Sequence, residues 1–393
     1  MDPRPSRRPA FPALRLPRVR PPAFRGRLHD PRTSTAVGRW LGLAFAVCFL
    51  TGLVSHYLQK PPDRLAPHLP PRPTWGYALT QGLHVGVGLA AIVLLLVKLW
   101  AVYPRLFVRP PLRSVRHALE RLSVAVLVAA AVFEVLTGLL NIAEWYPWPF
   151  GFVPVHYAVA WVAAGSVLLH IAVKAPEIRA HWGRRSAGTL ALPDEERDAP
   201  DRRSLLLGVG AAVGAVTVTT VGQAFTPLAA LDLLAPRHPG HGPQGLPVNR
   251  TAEAAGVTTA ALRTWRLQVT GPTPYALTLA ELADLPQTRV RLPIACVEGW
   301  SVGAWWTGVR IRDLMARAGA RPGSALRVVS LETRGAYRVM EMGRGYAEDP
   351  LTLLALRLND APLSLDHGYP ARIIAPNRPG VLQTKWVAGL EVL

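Results

Sequence analysis

Up to about residue 227 the hydrophobic positions of the chain form five long stretches, and beyond it they come in short runs separated by turns. The stretches at 38–58, 79–101, 120–143, 154–174 and 205–226 are each close to the ~20 residues of apolar helix that cross a bilayer. They predict five membrane-spanning helices. A cleaved signal peptide does not fit, because the first stretch starts late and others follow it. Pro227, Pro236, Pro239, Gly240, Gly242 and Pro243 then mark a linker. From 245 onward β-rich runs are expected at Trp265–Thr270, Arg289–Ala295, Leu326–Leu331, Tyr337–Met342, Ala371–Ala375 and Trp386–Val392. Helices are expected at Leu279–Leu285 and Ile311–Ala318, which makes this region an α+β domain.

Charge orients the pattern. The 393 residues carry a net charge of +19, which by itself suggests nucleic-acid binding. Its placement argues otherwise: ten arginines and two aspartates lie in residues 1–39, at the start of the chain. Arg105, Arg109, Arg113, Arg116 and Arg121 follow the second stretch, and Lys174, Arg179, Arg184, Arg185, Arg197, Arg202 and Arg203 follow the fourth. The loop after the first has three basic residues and the loop after the third has none. Positive charge collects on the cytoplasmic side, so the expected topology has the N-terminus inside and residues 227–393 outside a plasma membrane, with no nucleic-acid partner. Trp75, Trp145 and Trp148 fall at outer ends, where interfacial anchors belong. Residues 1–36, rich in Pro and Arg, are expected to form a disordered cytoplasmic tail. The run Arg202-Arg203-Ser204-Leu205-Leu206-Leu207 resembles a twin-arginine export signal, and equally serves the inside-charge rule. Of two cysteines, Cys48 lies within an apolar stretch and Cys296 in the C-terminal region, so an intrachain disulfide is not expected.

The stretch Cys296-Val297-Glu298-Gly299-Trp300-Ser301, with Trp306-Thr307-Gly308-Val309, is followed by Asp366-His367-Gly368-Tyr369-Pro370-Ala371-Arg372, Gly380 and Thr384-Lys385-Trp386-Val387. Together these resemble the core of the sulfite oxidase superfamily over about 250–393. A soft thiolate suits molybdenum held by the dithiolene sulfurs of a pterin, and the pterin's phosphate calls for converging cations and N–H donors. The resemblance implies molybdopterin as cofactor and Cys296 as the molybdenum ligand and catalytic centre. It further implies His367, Arg372, Thr384, Lys385 and Asn249 as contacts to the pterin and its phosphate. Trp300, Trp305 and Trp306 are expected in the core and pocket wall. The chain stops just after the Lys-Trp motif, so a sulfite-oxidase-style dimer is not expected, and the Glu-Gly-Trp-Ser run is more similar to the short bacterial branch.

The apolar stretches also carry histidines. His84 lies early in the second, and His156 and His170 lie 14 residues apart in the fourth. That separation returns to nearly one helix face after ~21 Å of rise, a spacing that suits two haems stacked across a bilayer. The first four stretches resemble the cytochrome b subunits of formate dehydrogenases and hydrogenases. In those, a histidine placed like His84 pairs with one placed like His156. A second haem on His170 lacks the family's partner histidine in the first stretch, leaving His117, while His56 competes for the outer haem. Glu134, midway along the third stretch, is a proton carrier or an interhelical hydrogen-bonding group, and Lys98 is expected to snorkel.

The expected fold is therefore a multi-span α-helical membrane domain with five transmembrane helices, four of them a haem-b bundle, plus a C-terminal α+β sulfite oxidase-type molybdopterin-binding domain. Its segments are the tail 1–36, a cytochrome b-like domain 37–185, a cytoplasmic loop 186–204 and a fifth transmembrane helix 205–227. A linker 228–244 and the molybdopterin domain 245–393 complete it. The expected activity couples oxygen-atom transfer on a small substrate to the quinone/quinol pool through haem b, in the reductase direction. A sulfite-type oxidase and an anchored, cofactor-less binding domain remain as alternatives.

Overall fold

The computed structural model describes residues 29, 31–62, 64–65, 68–104, 114–181 and 202–393. The expected N-terminal tail and most of the arginines of the two inside loops lie outside these residues. Five long helices open the chain: α1 (Pro31–Gln59), α2 (Gly76–Val102), α3 (Val115–Ile142), α4 (Phe152–His181) and α5 (Arg202–Val218). All five lie in segments long and apolar enough to cross a membrane. Their outward faces are as apolar as their contacts: Leu50, Leu96 and Leu168 are each more than 60% exposed. Helices hydrophobic all round need an apolar surrounding, not only an apolar core. α1 packs on α2, α3 on α4, and α5 against α2.

The fifth helix departs from expectation. Its α-helical part ends at Val218, short of the expected 227, and short 3₁₀ segments at Val221–Gln223 and Thr226–Leu231 follow. The β-branched run Val216–Val221 explains the break. Thr219 Oγ1 and Thr220 Oγ1 donate back to Ala215 and Val216 carbonyls, at 2.7 and 2.6 Å, offering the backbone an alternative to continued helix. Lys98 also departs: its ammonium donates to the Ser34 carbonyl and hydroxyl, each at 2.7 Å, tying α2 to the start of α1.

The C-terminal region holds two five-stranded sheets. The first runs β2 (Tyr275–Leu277), β1 (Leu267–Thr270), β10 (Val387–Val392), β5 (Leu326–Ser330) and β6 (Val339–Met342). Within it β1 and β10 are parallel, with Gln268 opposite Gly389. The second runs β3 (Thr288–Ala295), β4 (Ser301–Arg310), β7 (Leu353–Leu358) and β8 (Ala361–Pro362), with β9 (Arg372–Ile374) also paired to β7. Each of the six expected strands is present with bounds moved by up to two residues, at 267–270, 288–295, 326–330, 339–342, 372–374 and 387–392, and the two expected helices end earlier, as Leu279–Ala283 and Ile311–Arg317.

Two central strands escaped the sequence reading, each for a physical reason. β7 sends Leu354 and Leu356 into one core and Leu353, Ala355 and Leu358 into another. A strand buried on both faces loses the alternation that betrays a strand. β4 contains Gly308 at a register shift, where a Cβ would lie 2.1 Å from the Leu354 carbonyl oxygen. Glycine there permits close backbone approach, and reads in sequence as a turn.

The two parts of the chain are joined through one residue in particular. α2 begins after Trp75, which makes no side-chain cap. Asn377 supplies it from the C-terminal domain: its Oδ1 accepts from the Tyr77 N–H at 2.6 Å, and its Nδ2 donates to the Pro70 carbonyl at 2.8 Å. Arg72 adds an ion pair to Asp349 at 3.2 Å.

Candidate functional site

Cys296 is the first residue after β3, in the tight turn that leads into β4. Its N–H donates to the Trp300 carbonyl at 2.9 Å, and the Gly299 N–H donates to the Cys296 carbonyl at 3.1 Å. Gly299 has φ +97°, and a Cβ there would meet Val85 of α2 at 2.7 Å. The glycine thus permits both the left-handed turn and the seating of the turn on α2. Ala295, the residue before Cys296, packs with Leu58 and Tyr77 from α1 and α2. The Val297 carbonyl accepts from Gln81 Nε2 of α2 at 2.9 Å and from Asn141 Nδ2 of α3 at 3.3 Å. The cysteine turn therefore rests directly on α1, α2 and α3.

Burial, reinforced by the nearby Glu298 carboxylate, pushes the Cys296 thiol well above its ordinary range. A thiol so held is inert as a nucleophile, and a metal ion is what deprotonates such a group. Glu298 is itself raised to about 8, first by burial and then by the neighbouring Glu144. It accepts from Trp300 Nε1 at 2.9 Å, while Arg237 of the linker pairs with Glu144 and lies 3.8 Å from Glu298.

Behind the turn the domain buries two cations, Arg372 and Lys385, that form no ion pair among the described residues, although Asp366 and Glu332 act on Lys385 from further off. Arg372, 2% exposed, donates to the His367 and Gln383 carbonyls at 3.1 and 3.3 Å, and its Nε has no partner. Burial lowers its guanidinium to about 9. Lys385 donates to the Arg250 and Asp366 carbonyls at 2.6 and 2.9 Å, and burial followed by Arg372 lowers its ammonium to about 7. Thr384 Oγ1 is buried without a partner. Buried cations and orphaned donors of this kind are costly unless an anion completes them. A phosphate-bearing group fits that need.

His367 stands in a 3₁₀ turn ended by Gly368, with its Nε2 donating to the Pro243 carbonyl at 2.8 Å. Burial and Arg372 lower it to about 4, which keeps the ring neutral. Asn249 is half-buried beside Arg250, whose carbonyl Lys385 holds. Trp300 and Trp306 are buried, Trp306 with the Arg372 guanidinium 5.1 Å from its ring, whereas Trp305 is partly exposed under Arg289.

Within the helices, His84 and His156 are brought together. Their ring centroids are 6.2 Å apart and their planes cross at 78°. His84 Nδ1 donates to the Cys48 carbonyl and His156 Nδ1 meets Thr137 Oγ1, both at 2.9 Å. Hydrogen bonds of this type fix the orientation of each ring. Glu134 Oε2 stands 3.2 Å from His156 Nε2, so Glu134 joins α3 to α4 at the atom a metal would take. The two histidines line an apolar cavity of about 420 Å³, which His56 and Val297 also line. His56 is stacked on Tyr157 with centroids 3.7 Å apart. His170 and His117 do not line that cavity.

Sequence reasoning missed Tyr77, Gln81, Asn141, Glu144, Arg237, Asn377 and Arg378. For Gln81 and Asn141 a signal existed, since amides near the ends of apolar stretches are expensive unless used. The others are brought to the site by tertiary contacts alone.

Residues 254–393 match the family described as the oxidoreductase molybdopterin binding domain. An uncharacterised oxidoreductase, YuiH, of Bacillus subtilis is 30% identical over 130 residues, covering 32% of this chain and 64% of that one. The mitochondrial sulfite oxidase of Drosophila melanogaster is 29% identical over 31% of this chain and 26% of its own length. The nitrate reductase [NADH] of Hordeum vulgare is 32% identical over 33% of this chain and 18% of its own. The chain thus spans about a quarter or less of the sulfite oxidase and nitrate reductase sequences it matches. The sulfane dehydrogenase SoxCD of Paracoccus pantotrophus is similar at 24% identity over 33% of this chain and 38% of that one, with a TM-score of 0.31. The C-terminal region is a sulfite-oxidase-type molybdopterin-binding domain.

Proposed function

We propose that this protein is a plasma-membrane, molybdenum-dependent oxidoreductase that exchanges electrons between the quinone pool and a molybdenum site on the outer face, through a haem b bound by His84 and His156. One observation carries the reading: Val297, next to the thiol of Cys296, lines the same cavity as the two histidines. An anchor with no redox role has no need of that continuity.

When bound, the molybdopterin supplies the oxygen-atom transfer, and the haem relays electrons singly. Cys296 serves as the protein's ligand to molybdenum. Arg372, Lys385 and Thr384 complete the anionic end of the pterin with charge-assisted and neutral hydrogen bonds. His367 and Asn249 wall the pterin. His84 and His156 hold the haem, while Cys48 and Thr137 orient their rings. In the favoured direction a quinol gives up two electrons and two protons, and an oxidised substrate XO takes up the same number to become X and water. The sulfite oxidases among the relatives favour the reverse direction, with electrons entering from an oxidisable sulfur compound.

Metal and haem assays on the purified full chain test the reading. Molybdenum and a low-spin haem are expected together; a protein with no molybdenum would falsify it. His84→Ala and His156→Ala should each remove the same haem signal, and His170→Ala should leave it, its depth being ~21 Å away along the helix. Loss on His56→Ala instead of His156→Ala transfers the ligand role to His56. Reduction of the haem by quinol, and not by sulfite, establishes the direction.

A further inference from the structure

Two side-chain amides from different helices converge on a single backbone oxygen beside the metal-ligating thiol. The Val297 carbonyl has two lone pairs, and Gln81 Nε2 and Asn141 Nδ2 occupy both, at 2.9 and 3.3 Å. The Tyr146 hydroxyl donates to Asn141 Oδ1 at 3.2 Å, which turns the Asn141 amide so that its N–H group faces Val297. Each amide stands one helical turn from a group that belongs to the histidine pair. Gln81 precedes His84 by three residues, and Asn141 follows Thr137, the hydrogen-bond partner of His156, by four. Residues so spaced share a helix face. Gly299, packed against Val85, closes the same contact from the other side of the turn.

We propose that Gln81 and Asn141 are positioning residues for electron transfer between the two cofactors: they hold the Val297 peptide, and with it Cys296, in register with the outer ends of the helices that carry the histidine pair. The inference rests on the haem and molybdenum reading above. In each turnover a quinol becomes a quinone with loss of two electrons and two protons. The electrons cross this contact one at a time and, with two protons, convert XO to X and water. The shared carbonyl places two hydrogen bonds at the cysteine turn itself, nearer the two centres than the Asn377 cap and the Arg72–Asp349 pair that also join the domains.

The test uses Gln81→Met and Asn141→Leu, singly and together, in the purified full chain. Both replacements keep apolar bulk and remove the donors. Duroquinol is mixed with oxidised protein, and haem absorbance and the paramagnetic signal of reduced molybdenum are followed by rapid freezing. The haem should be reduced at the wild-type rate, while reduction of molybdenum slows by about tenfold or more in the double variant, as small misplacements do elsewhere. Dithionite, which reaches molybdenum without the haem, should reduce it equally fast in every variant. Unchanged molybdenum reduction by duroquinol overturns the proposal, and so does an equal slowing with dithionite, which marks a general distortion of the site. A wild-type protein with no haem signal brings down the parent reading before any variant is compared.

Discussion

At the scale of the residue, the C-terminal domain is defined by groups whose charge state is wrong for an empty interior. Arg372 and Lys385 are buried cations that donate to backbone carbonyls and form no ion pair among the described residues. The pH dependence of the cofactor-free protein should report this. Burial, followed by the Arg372 charge, lowers Lys385 to about 7 in the folded state, against its ordinary value of 10.5. Between those values the unfolded chain binds more protons than the folded one, so stability rises as pH climbs through that window. An anion beside Lys385 raises its folded value and removes the rise. Thermal unfolding of cofactor-free protein from pH 7 to 10 should show the gain, and the Lys385→Met variant should lack it; identical profiles would remove Lys385 from the anion site. Arg372→Ala should lower molybdenum content, since it withdraws a charge-assisted partner worth roughly 1.5–3 kcal/mol. The motif residues were legible in the sequence because their order and spacing resemble those of the sulfite oxidase superfamily. Gln81 and Asn141 were less so, because an amide announces no partner until the fold brings a carbonyl to it.

At the scale of the element, the four bundle helices lie where the apolar stretches put them, because length and hydrophobicity suffice for a span. What the stretches do not encode is how α2 is held. Its N-terminus is capped across the domain boundary by Asn377, some three hundred residues away in sequence. Asn377→Ala should loosen the start of α2 by about 0.5–2 kcal/mol, the usual cost of a lost cap. Hydrogen exchange at the Tyr77 amide is the direct measure, and protection equal to wild type would show that Trp75 or solvent caps the helix. The β3–β4 hairpin follows the same logic. Its motif is visible as residues, but β4 itself was hidden, because Gly308 answers to the neighbouring β7 backbone and not to its own strand propensity.

At the scale of the whole molecule, the proposed function needs the molybdopterin domain on the outer face of the membrane, and the Arg202-Arg203 pair that precedes α5 offers a test of how it gets there. Replacing Arg202 and Arg203 by lysines keeps the inside charge and removes the twin-arginine pair. If the pair directs export of a folded domain, protease added to intact cells should spare residues 245–393 in the variant while the first four helices insert normally. Cleavage as in wild type leaves the arginines only their topological role. The sequence by itself determined the five apolar segments and the β-rich domain after them, since each follows from local composition, whereas Cys296, Arg372 and Lys385 stood out only through the resemblance of their motifs to a family. Only the tertiary structure decided that His84 meets His156, that Glu134 bridges to that pair, and that the Cys296 turn sits on Gln81, Asn141 and Val85. Those contacts join residues far apart in the chain, and close packing, which no local pattern records, selects them.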